Sequence, residues 1–412
     1  MTDVVLAIFV ATYIGMATGR IPGLKVDRTG IALIAAVALL AIEAITPIEA
    51  AGFIDLPTMM LLFGLMIVAA QFGVAGVFDG VARRIAATAD RPNRLLAAVI
   101  ATSGVMSAWL TNDIVVFAMT PLLCAGLKAR GANPVPYLIA LAASANAGSA
   151  TTLIGNPQNI LIGQMTGLGF WHYLAIALPV AIAALLIAYG VIAWLWRGRL
   201  TVPNLPQHPH VGTTALYSDR LQFVKAMIAT AALLILFMTP VPREVSTLAV
   251  AGILLASRRI ASRRLVGAVD WNLLILFAGL FVVTGTAVAA LGGSDLAARL
   301  ASAGWLPDRL HVLAPLALTV SNTIGNVPAV ILILQAWPSP PMGAMAALAL
   351  LSTLAGNLLI TGSLANIIVA ERAQAAGVHL GFAEHARAGI PITLLSFAVA
   401  VIWLWGLGLL PP

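Results

Sequence analysis

"SANAGSATTLIGNPQN", residues 144–159, sets two glycines, a proline, three asparagines and a row of small hydroxyls between long apolar runs. Gly148, Gly155 and Pro157 would each interrupt a helical hydrogen-bond ladder, because glycine favours irregular backbone and proline lacks the donor. Within hydrocarbon such a break is tolerated only where protein or a water-filled cavity covers it. The stretch therefore predicts a discontinuous helix facing the inside of a membrane protein.

The rest of the chain supports a membrane setting. Of its 412 residues 61% are hydrophobic and 9% charged, and the mean hydropathy is +1.01. A soluble domain carries about 25% charged residues. Apolar runs of membrane-spanning length recur from end to end. The expected class is an all-α polytopic membrane protein with the lipid bilayer as its partner and no sizeable soluble domain. The net charge of +7 lies in short loops between apolar runs, where it acts as a topology anchor and gives no case for nucleic acid. The single cysteine, Cys124, excludes an internal disulfide and reads as a small packing residue. The first apolar run begins near Met1 without a basic leader or cleavage site, so it reads as a retained helix.

Candidate spans fall near residues 3–19, 29–46, 57–78, 94–127, 134–166 and 170–196, then 221–239, 244–257, 270–291, 310–336, 342–370 and 388–410. A polar linker rich in Pro and His, residues 199–220, separates the two sets. Arg20, Lys25 and Arg28, then Arg83, Arg84, Arg91 and Arg94, then Lys128 and Arg130, Arg197, Arg199 and Arg220, and finally Arg258, Arg259, Arg263 and Arg264 all fall on one side. The acidic loop with Glu43, Glu49 and Asp55 falls on the other. By the positive-inside rule the basic side is cytoplasmic, which puts both termini outside and the linker inside a bacterial-type inner membrane. Residues 94–127 start and end on the basic side yet number roughly 34, too many for one span and few for two. They are expected to enter and turn back as a re-entrant hairpin at "SAWLTND", residues 107–113.

The halves repeat in order. "LLFGLMIVA" at 61–69 matches "LFAGLFVVT" at 276–284 through Gly64–Leu65 and Gly279–Leu280. "WLTNDIVVF" at 109–117 matches "TIGNVPAVI" at 323–331, pairing Asn112 with Asn326. "AGSATTLIGNPQN" at 147–159 matches "AGNLLITGSLAN" at 355–366, pairing Gly148 with Gly356, Gly155 with Gly362 and Asn159 with Asn366. Five spans and a hairpin per half make the second half inverted. The expected organisation is a first inverted repeat at 1–198 (hairpin 94–127, broken helix 134–166), the linker at 199–220, and a second repeat at 221–412 (hairpin 310–336, broken helix 342–370). Inverted repeats, discontinuous helices and a midplane site are the architecture of many secondary transporters.

Four polar clusters carry the candidate chemistry. They are Ser107, Thr111, Asn112 and Asp113; Ser144, Asn146, Ser149, Thr151, Thr152, Asn156, Gln158 and Asn159; Ser321 to Asn326; and Ser352, Asn357, Thr361, Ser363 and Asn366. A single Ser or Thr is commonly a helix-packing residue. Asn112, Asn159, Asn326, Asn357 and Asn366 ask for more, since each amide needs several partners that hydrocarbon does not supply. Unwound carbonyls with Ser, Thr and Asn oxygens would suit a hard cation such as Na⁺, and half-helix N-termini would attract an anion. Asp113 is the one carboxylate expected deep in the membrane, where an ionised side chain costs several kcal/mol and tends to be functional. It reads as a proton carrier or cation ligand, or as a structural cap of the returning helix. No Lys or Arg lies in the four clusters. His172, His208, His210, His311, His379 and His385 read as sitting in or near loops, without metal-ligand spacing. Trp109 and Trp171 read as packing or interfacial residues.

"WLTNDIVVFAMTPLL", "SANAGSATTLIGNPQNILI" and "SNTIGNVPAVILIL" resemble the hairpin and broken-helix motifs of the ion transporter superfamily, which includes arsenite efflux permeases, citrate permeases, sodium/proton antiporters and divalent-anion/sodium symporters. Asn112–Asp113 followed by Thr120–Pro121 is most similar to its arsenite-permease-like branch of anion transporters. The resemblance covers nearly the whole chain. It implies sodium or substrate contacts at Asn112 and Asp113, Gly155 and Asn159, Ser321, Asn322, Thr323 and Asn326, and Gly362 and Asn366, with Na⁺ placed by Asn112, Gly155 and Asn159 and by Asn326, Gly362 and Asn366. It also implies a homodimer whose scaffold domains hold mobile transport domains. Dicarboxylate symporters carry Ser-Asn-Thr at both hairpin tips; here only Ser321 to Thr323 does, which moves weight from dicarboxylates to inorganic oxyanions, arsenite-like solutes or cation antiport. The full expected site is Thr111, Asn112, Asp113, Ser144, Asn146, Gly148, Ser149, Thr151, Thr152, Gly155, Asn156, Asn159, Ser321, Asn322, Thr323, Asn326, Asn357, Thr361, Gly362, Ser363 and Asn366. The expectation is a secondary carrier of a small anion, needing no cofactor beyond coupling Na⁺ or H⁺. The alternatives are a Na⁺/H⁺ antiporter using Asp113 and a channel. No nucleophile–base pair marks an enzyme. The more polar first break and Asp113 place the principal coupling-ion site in the first half.

Overall fold

The computed structural model describes residues 1–18, 25–87, 91–200, 219–292, 302, 306–337 and 340–411. Arg20 and the body of the linker, 201–218 with His208 and His210, lie outside the described residues. The described secondary structure is helical: nineteen α-helices and one 3₁₀ turn. Among the described residues, five helices are long and apolar enough to cross a membrane alone: Leu56–Val74, Pro92–Leu110, Phe170–Leu195, Trp271–Ala290 and Phe382–Gly406.

Helix starts follow from local chemistry. Asp27, Asp55, Asp219 and Asp270 each accept a hydrogen bond from the first turn that follows, satisfying donors that a helix leaves unpaired. Thr46 and Glu49 form a reciprocal capping box on the exposed helix Pro47–Phe53, and these bonds hold the Glu49 carboxyl below its usual range. This helix, the amphipathic Val77–Ala87 and the five-residue Ser262–Val266 were not expected; they fall between apolar runs, where span-length patterning is blind to them. The described histidines fall in loops or the first turns of helices, and His385 differs from the rest in being buried. His385 lies in the helix Phe382–Gly406, 1% exposed, and His172 and His311 are helical as well.

The first half runs through α1 (Thr2–Thr18), α2 (Arg28–Ala41), α3 (Pro47–Phe53), α4 (Leu56–Val74), α5 (Val77–Ala87), α6 (Pro92–Leu110), α7 (Asn112–Lys128), α8 (Val135–Ser149), α9 (Pro157–Thr166) and α10 (Phe170–Leu195). The second runs through α11 (Arg220–Leu236), α12 (Arg243–Leu255), α13 (Ser262–Val266), α14 (Trp271–Ala290), α15 (Leu310–Ile324), α16 (Asn326–Ala336), α17 (Met342–Ala355), the 3₁₀ turn Ile360–Gly362, α18 (Leu364–Ala375) and α19 (Phe382–Gly406). Helices α6 and α7 meet at Thr111, and α15 and α16 meet at Gly325. Both junction residues have positive φ, 65° and 97°. The helices α8/α9 and α17/α18 are the two broken pairs.

Packing ties the halves together reciprocally. Gly64 of α4 lies against Thr247 of α12, so close that a methyl group there would come within 2.6 Å of the threonine Cγ2. Gly279 of α14 lies against Ala32 of α2, where a methyl would come within 2.9 Å of the alanine backbone. Gly279 is 215 residues beyond Gly64, and Thr247 is 215 beyond Ala32. Small residues let helix backbones approach in this way, and an exchange of equivalent contacts is what two-fold related surfaces make.

Candidate functional site

Each broken pair stops because its polar side chains satisfy the backbone that the helix abandons. Asn156 accepts from the Asn159 amide (2.9 Å) and so caps α9, while Pro157 fills the first helical position, where its missing N–H costs nothing. The Asn156 amide donates back to the Ser149 hydroxyl (3.0 Å), closing the loop between the half-helices. Asn159 Nδ2 donates to the Thr152 carbonyl (3.1 Å), and Asn366 Nδ2 donates to the Leu359 carbonyl (3.0 Å). These bonds are equivalent at an offset of 207 residues.

The breaks are bonded across the halves. Asn146 uses its full amide capacity. Its Nδ2 donates to Asn357 Oδ1 (2.9 Å) and Asn366 Oδ1 (3.0 Å), and its Oδ1 accepts from Asn112 Nδ2 (3.0 Å) and Ser363 Oγ (3.0 Å). At the matching place the Thr353 hydroxyl shares its one proton between the Ala349 carbonyl (2.8 Å) and Asn159 Oδ1 (3.1 Å), and it accepts from Asn156 Nδ2 (3.2 Å) and Gln158 Nε2 (3.3 Å). Thr353 is 207 residues beyond Asn146, as Asn366 is beyond Asn159. Behind this lattice, Tyr173 accepts from Asn159 Nδ2 (3.2 Å) and donates to the Ala150 carbonyl (2.7 Å). His385, like Tyr173 the fourth residue of its helix, brings Nε2 to 3.5 Å from Asn366 Nδ2.

The junction tips join the same assembly. The Asn112 amide donates to the Gly155 carbonyl (2.9 Å). The Asn326 side chain, oriented to satisfy its neighbours, donates to the carbonyls of Gly362 (2.6 Å) and Ser352 (3.2 Å) and accepts from Gln158 Nε2 (3.2 Å). Between tips and breaks lies a cavity of about 50 Å³, room for a few water-sized groups. Asn112, Asp113, Gln158, Asn326, Thr361 and Ser363 supply polar walls; Met16, Leu273, Leu276 and Ile367 supply apolar ones; Arg28 lines it too. Besides Arg28 at the start of α2, the first residues of α7, α9, α16 and α18 (Asn112, Pro157, Asn326 and Leu364) line it, so the four helix N-termini of the tips and breaks border it together.

Of the expected site residues, the cavity thus gathers Asn112, Asp113, Asn326, Thr361 and Ser363. Thr111, Asn146, Ser149, Thr152, Gly155, Asn156, Asn159, Asn357, Gly362 and Asn366 stand behind it, most of them hydrogen-bonded to protein; Thr152, for one, donates to the Ala108 carbonyl (2.6 Å). Gly148 packs on Gly104, and Ser144 shares its hydroxyl with Ser103 and the Ala140 carbonyl. Thr151 is buried without lining the cavity, and Thr323 is exposed and donates to Thr319. Ser321 Oγ and Asn322 Oδ1 are buried with no hydrogen-bond partner among the described residues, and Asn322 lies beside Gly362, where a side-chain atom would come within 2.3 Å of that Oδ1. Asp113 does not cap α7; its carboxylate makes no hydrogen bond among the described residues. Sequence reading missed Thr353, Tyr173, His385 and Arg28. The 207-residue offset from Asn146 points to Thr353; in sequence Arg28 reads only as a loop anchor.

Comparison with known proteins agrees with this architecture. A family model described as "Citrate transporter" matches residues 9–339. The chain is 30% identical to inner membrane protein YbiR of Escherichia coli, over 78% of this chain and 81% of that one. It is 27% identical to the silicon efflux transporter LSI3 of Oryza sativa, over 92% of this chain and 93% of that one. The fold is also similar to the crystal structure of the YdaH transporter of Alcanivorax borkumensis, with a TM-score of 0.55, 14% identity, and coverage of 100% of this chain and 99% of that one.

Proposed function

The chain belongs to the citrate transporter family, within the ion transporter superfamily, and is a membrane transporter and not an enzyme; from that premise we propose that it is a secondary carrier of a small inorganic oxyanion, arsenite-like oxyacid or small carboxylate, coupled to Na⁺ or H⁺ and working by alternating access. The observation that carries this reading is the convergence of four helix N-termini on one small cavity. Each presents the positive end of a helix dipole, equivalent to roughly half a charge, and together they favour a negative occupant. The neighbouring relative named for silicon efflux is in keeping with a small oxyacid.

In this reading the halves are inverted repeats, and the reciprocal Gly64–Thr247 and Gly279–Ala32 contacts support that relation. The α6/α7 and α15/α16 pairs are re-entrant hairpins, so that α1's end, α2's start and α14's start lie on the cytoplasmic side of the inner membrane. Hairpins and broken helices move together as the transport unit, bound into one body by the Asn146 lattice. The unpartnered Ser321 Oγ and Asn322 Oδ1, with the Gly362 turn, offer hard oxygen atoms for Na⁺.

Asp113 favours a second reading, Na⁺/H⁺ antiport, because its carboxylate is buried in the cavity without a hydrogen-bonding partner among the described residues. One experiment separates the two. Purified protein in liposomes is given Na⁺ and pH gradients with a panel of arsenite, phosphate, sulfate and small carboxylates. Anion flux that follows the Na⁺ or H⁺ gradient is the expected result. Na⁺/H⁺ exchange with no flux of any anion would replace the carrier reading with antiport.

A further inference from the structure

Arg28 and Asp113 line the same small cavity from different elements. Arg28 opens α2, which packs on α14 through Gly279; Asp113 lies in the first turn of α7, at the junction tip. The Arg28 Nε donates to the Met16 carbonyl (3.0 Å), which fixes the guanidinium at the wall and leaves its terminal nitrogens with no hydrogen bond among the described residues. No ion pair joins Arg28 to Asp113. Two other acids act on these charges: Glu371 on Arg28, and Asp270 on Asp113. Neither fills the role of a fixed partner. Glu371 is exposed on α18, and Asp270 is engaged in capping α14 through the Leu273 amide (3.0 Å).

A half-buried guanidinium held by one bond and a buried carboxylate without one among the described residues share a cavity without touching, so both charges are only partly compensated there. A small oxyanion resolves this. It can accept two parallel bonds from the terminal guanidinium nitrogens while the helix N-termini face its other oxygens. A cation at Asp113 then completes the charge balance. We propose that Arg28 is the anion-specificity residue, a fork that holds the transported oxyanion from the α2 side of the cavity while Asp113 holds the co-transported cation from the tip side. This deepens the carrier reading and rests on it. It also assigns a mechanical consequence: the anion bridges α2 to the junction tips, so loading draws the two sides together.

The test uses full-length protein in detergent, with thermal unfolding followed in sodium arsenite, phosphate, sulfate and small carboxylate series at constant Na⁺, and in NaCl alone. Arg28→Lys keeps the positive charge needed for topology and loses the planar fork; Arg28→Gln removes both. The expected result is an apparent Kd for the stabilising anion that rises about tenfold or more in Arg28→Gln and by less in Arg28→Lys, as loss of charged hydrogen bonds predicts, with the Na⁺ response unchanged in both. Anion affinity equal to wild type in both variants overturns the assignment and leaves the carrier reading intact. If no anion stabilises wild type, both fall together. Loss of the Na⁺ response in Arg28→Lys would show that Arg28 supports the fold, and would also overturn the assignment. Should Arg28→Gln fail to insert, Arg28→Lys decides alone.

Discussion

Asn146 Nδ2 donates to Asn366 Oδ1 at 3.0 Å, and at the equivalent place in the other half Thr353 Oγ1 donates to Asn159 Oδ1 at 3.1 Å. The two helix breaks thus hold each other across the halves, with a threonine standing where the first half has an asparagine. The Asn146 amide has room to reach four partners at once, which the hydroxyl does not.

Removing Asn146 should therefore cost more than removing Thr353. Asn146→Ala strands Asn366 Oδ1, Asn357 Oδ1 and Asn112 Nδ2 in a buried setting, and we expect about 2–3 kcal/mol of destabilisation, with about 1 kcal/mol for Thr353→Ala. A double-mutant cycle of Asn146→Ala with Asn366→Ala, read by thermal unfolding in detergent, should give a coupling energy near 1 kcal/mol. Additive losses would mean that the bond between the halves carries no energy.

The junction residues Thr111 and Gly325 have similar backbone angles, φ 65°, ψ 137° and φ 97°, ψ 156°, in a region that glycine occupies freely and a β-branched residue does not. Thr111→Gly is expected to stabilise by about 1 kcal/mol, and Gly325→Thr to destabilise by about 1–3 kcal/mol. Opposite signs in paired melting curves are the check; the same sign for both would refute a strained threonine.

Gly64 and Gly279 make reciprocal backbone approaches, so valine at either should cost a similar amount, about 1–3 kcal/mol from overpacking. Gly64→Val should be relieved in part by Thr247→Ala, because the threonine Cγ2 is the nearest obstacle. Stability of the double variant no better than that of Gly64→Val would place the clash elsewhere.

Asp113→Asn keeps the volume and removes the charge. We expect normal insertion and anion stabilisation within about tenfold of wild type, while the dependence of transport on the Na⁺ or pH gradient is lost. Liposome flux at matched and opposed gradients reads this directly. Gradient-coupled flux equal to wild type would take Asp113 out of the coupling step.

Much of this architecture was legible because long apolar runs, loop charge and glycine or proline breaks are local signals. The tip at Thr111, the break after Ser149 and the matched second break were each visible in a few adjacent residues. The helices Pro47–Phe53 and Val77–Ala87 were not, since they are short or amphipathic and add nothing to a count of spans. Arg28 was hidden for another reason. Its place in a basic loop is consistent with topology anchoring, and only the packing of α2 on α14 carries it to the cavity. Polarity predicted which side chains would be buried, yet it could not tell those spent on each other, such as Asn146 and Asn159, from those left facing the cavity, such as Asp113.

The four helix starts around one cavity also bear on leakage. Their fields point into one small cavity. An occupant of opposite sign relaxes that field, so the loaded molecule is electrically at ease and the vacant one is not. In the carrier proposed here a molecule holding the cation alone would leave that field unrelaxed, so the feature that attracts the anion would also disfavour carrying the cation without it.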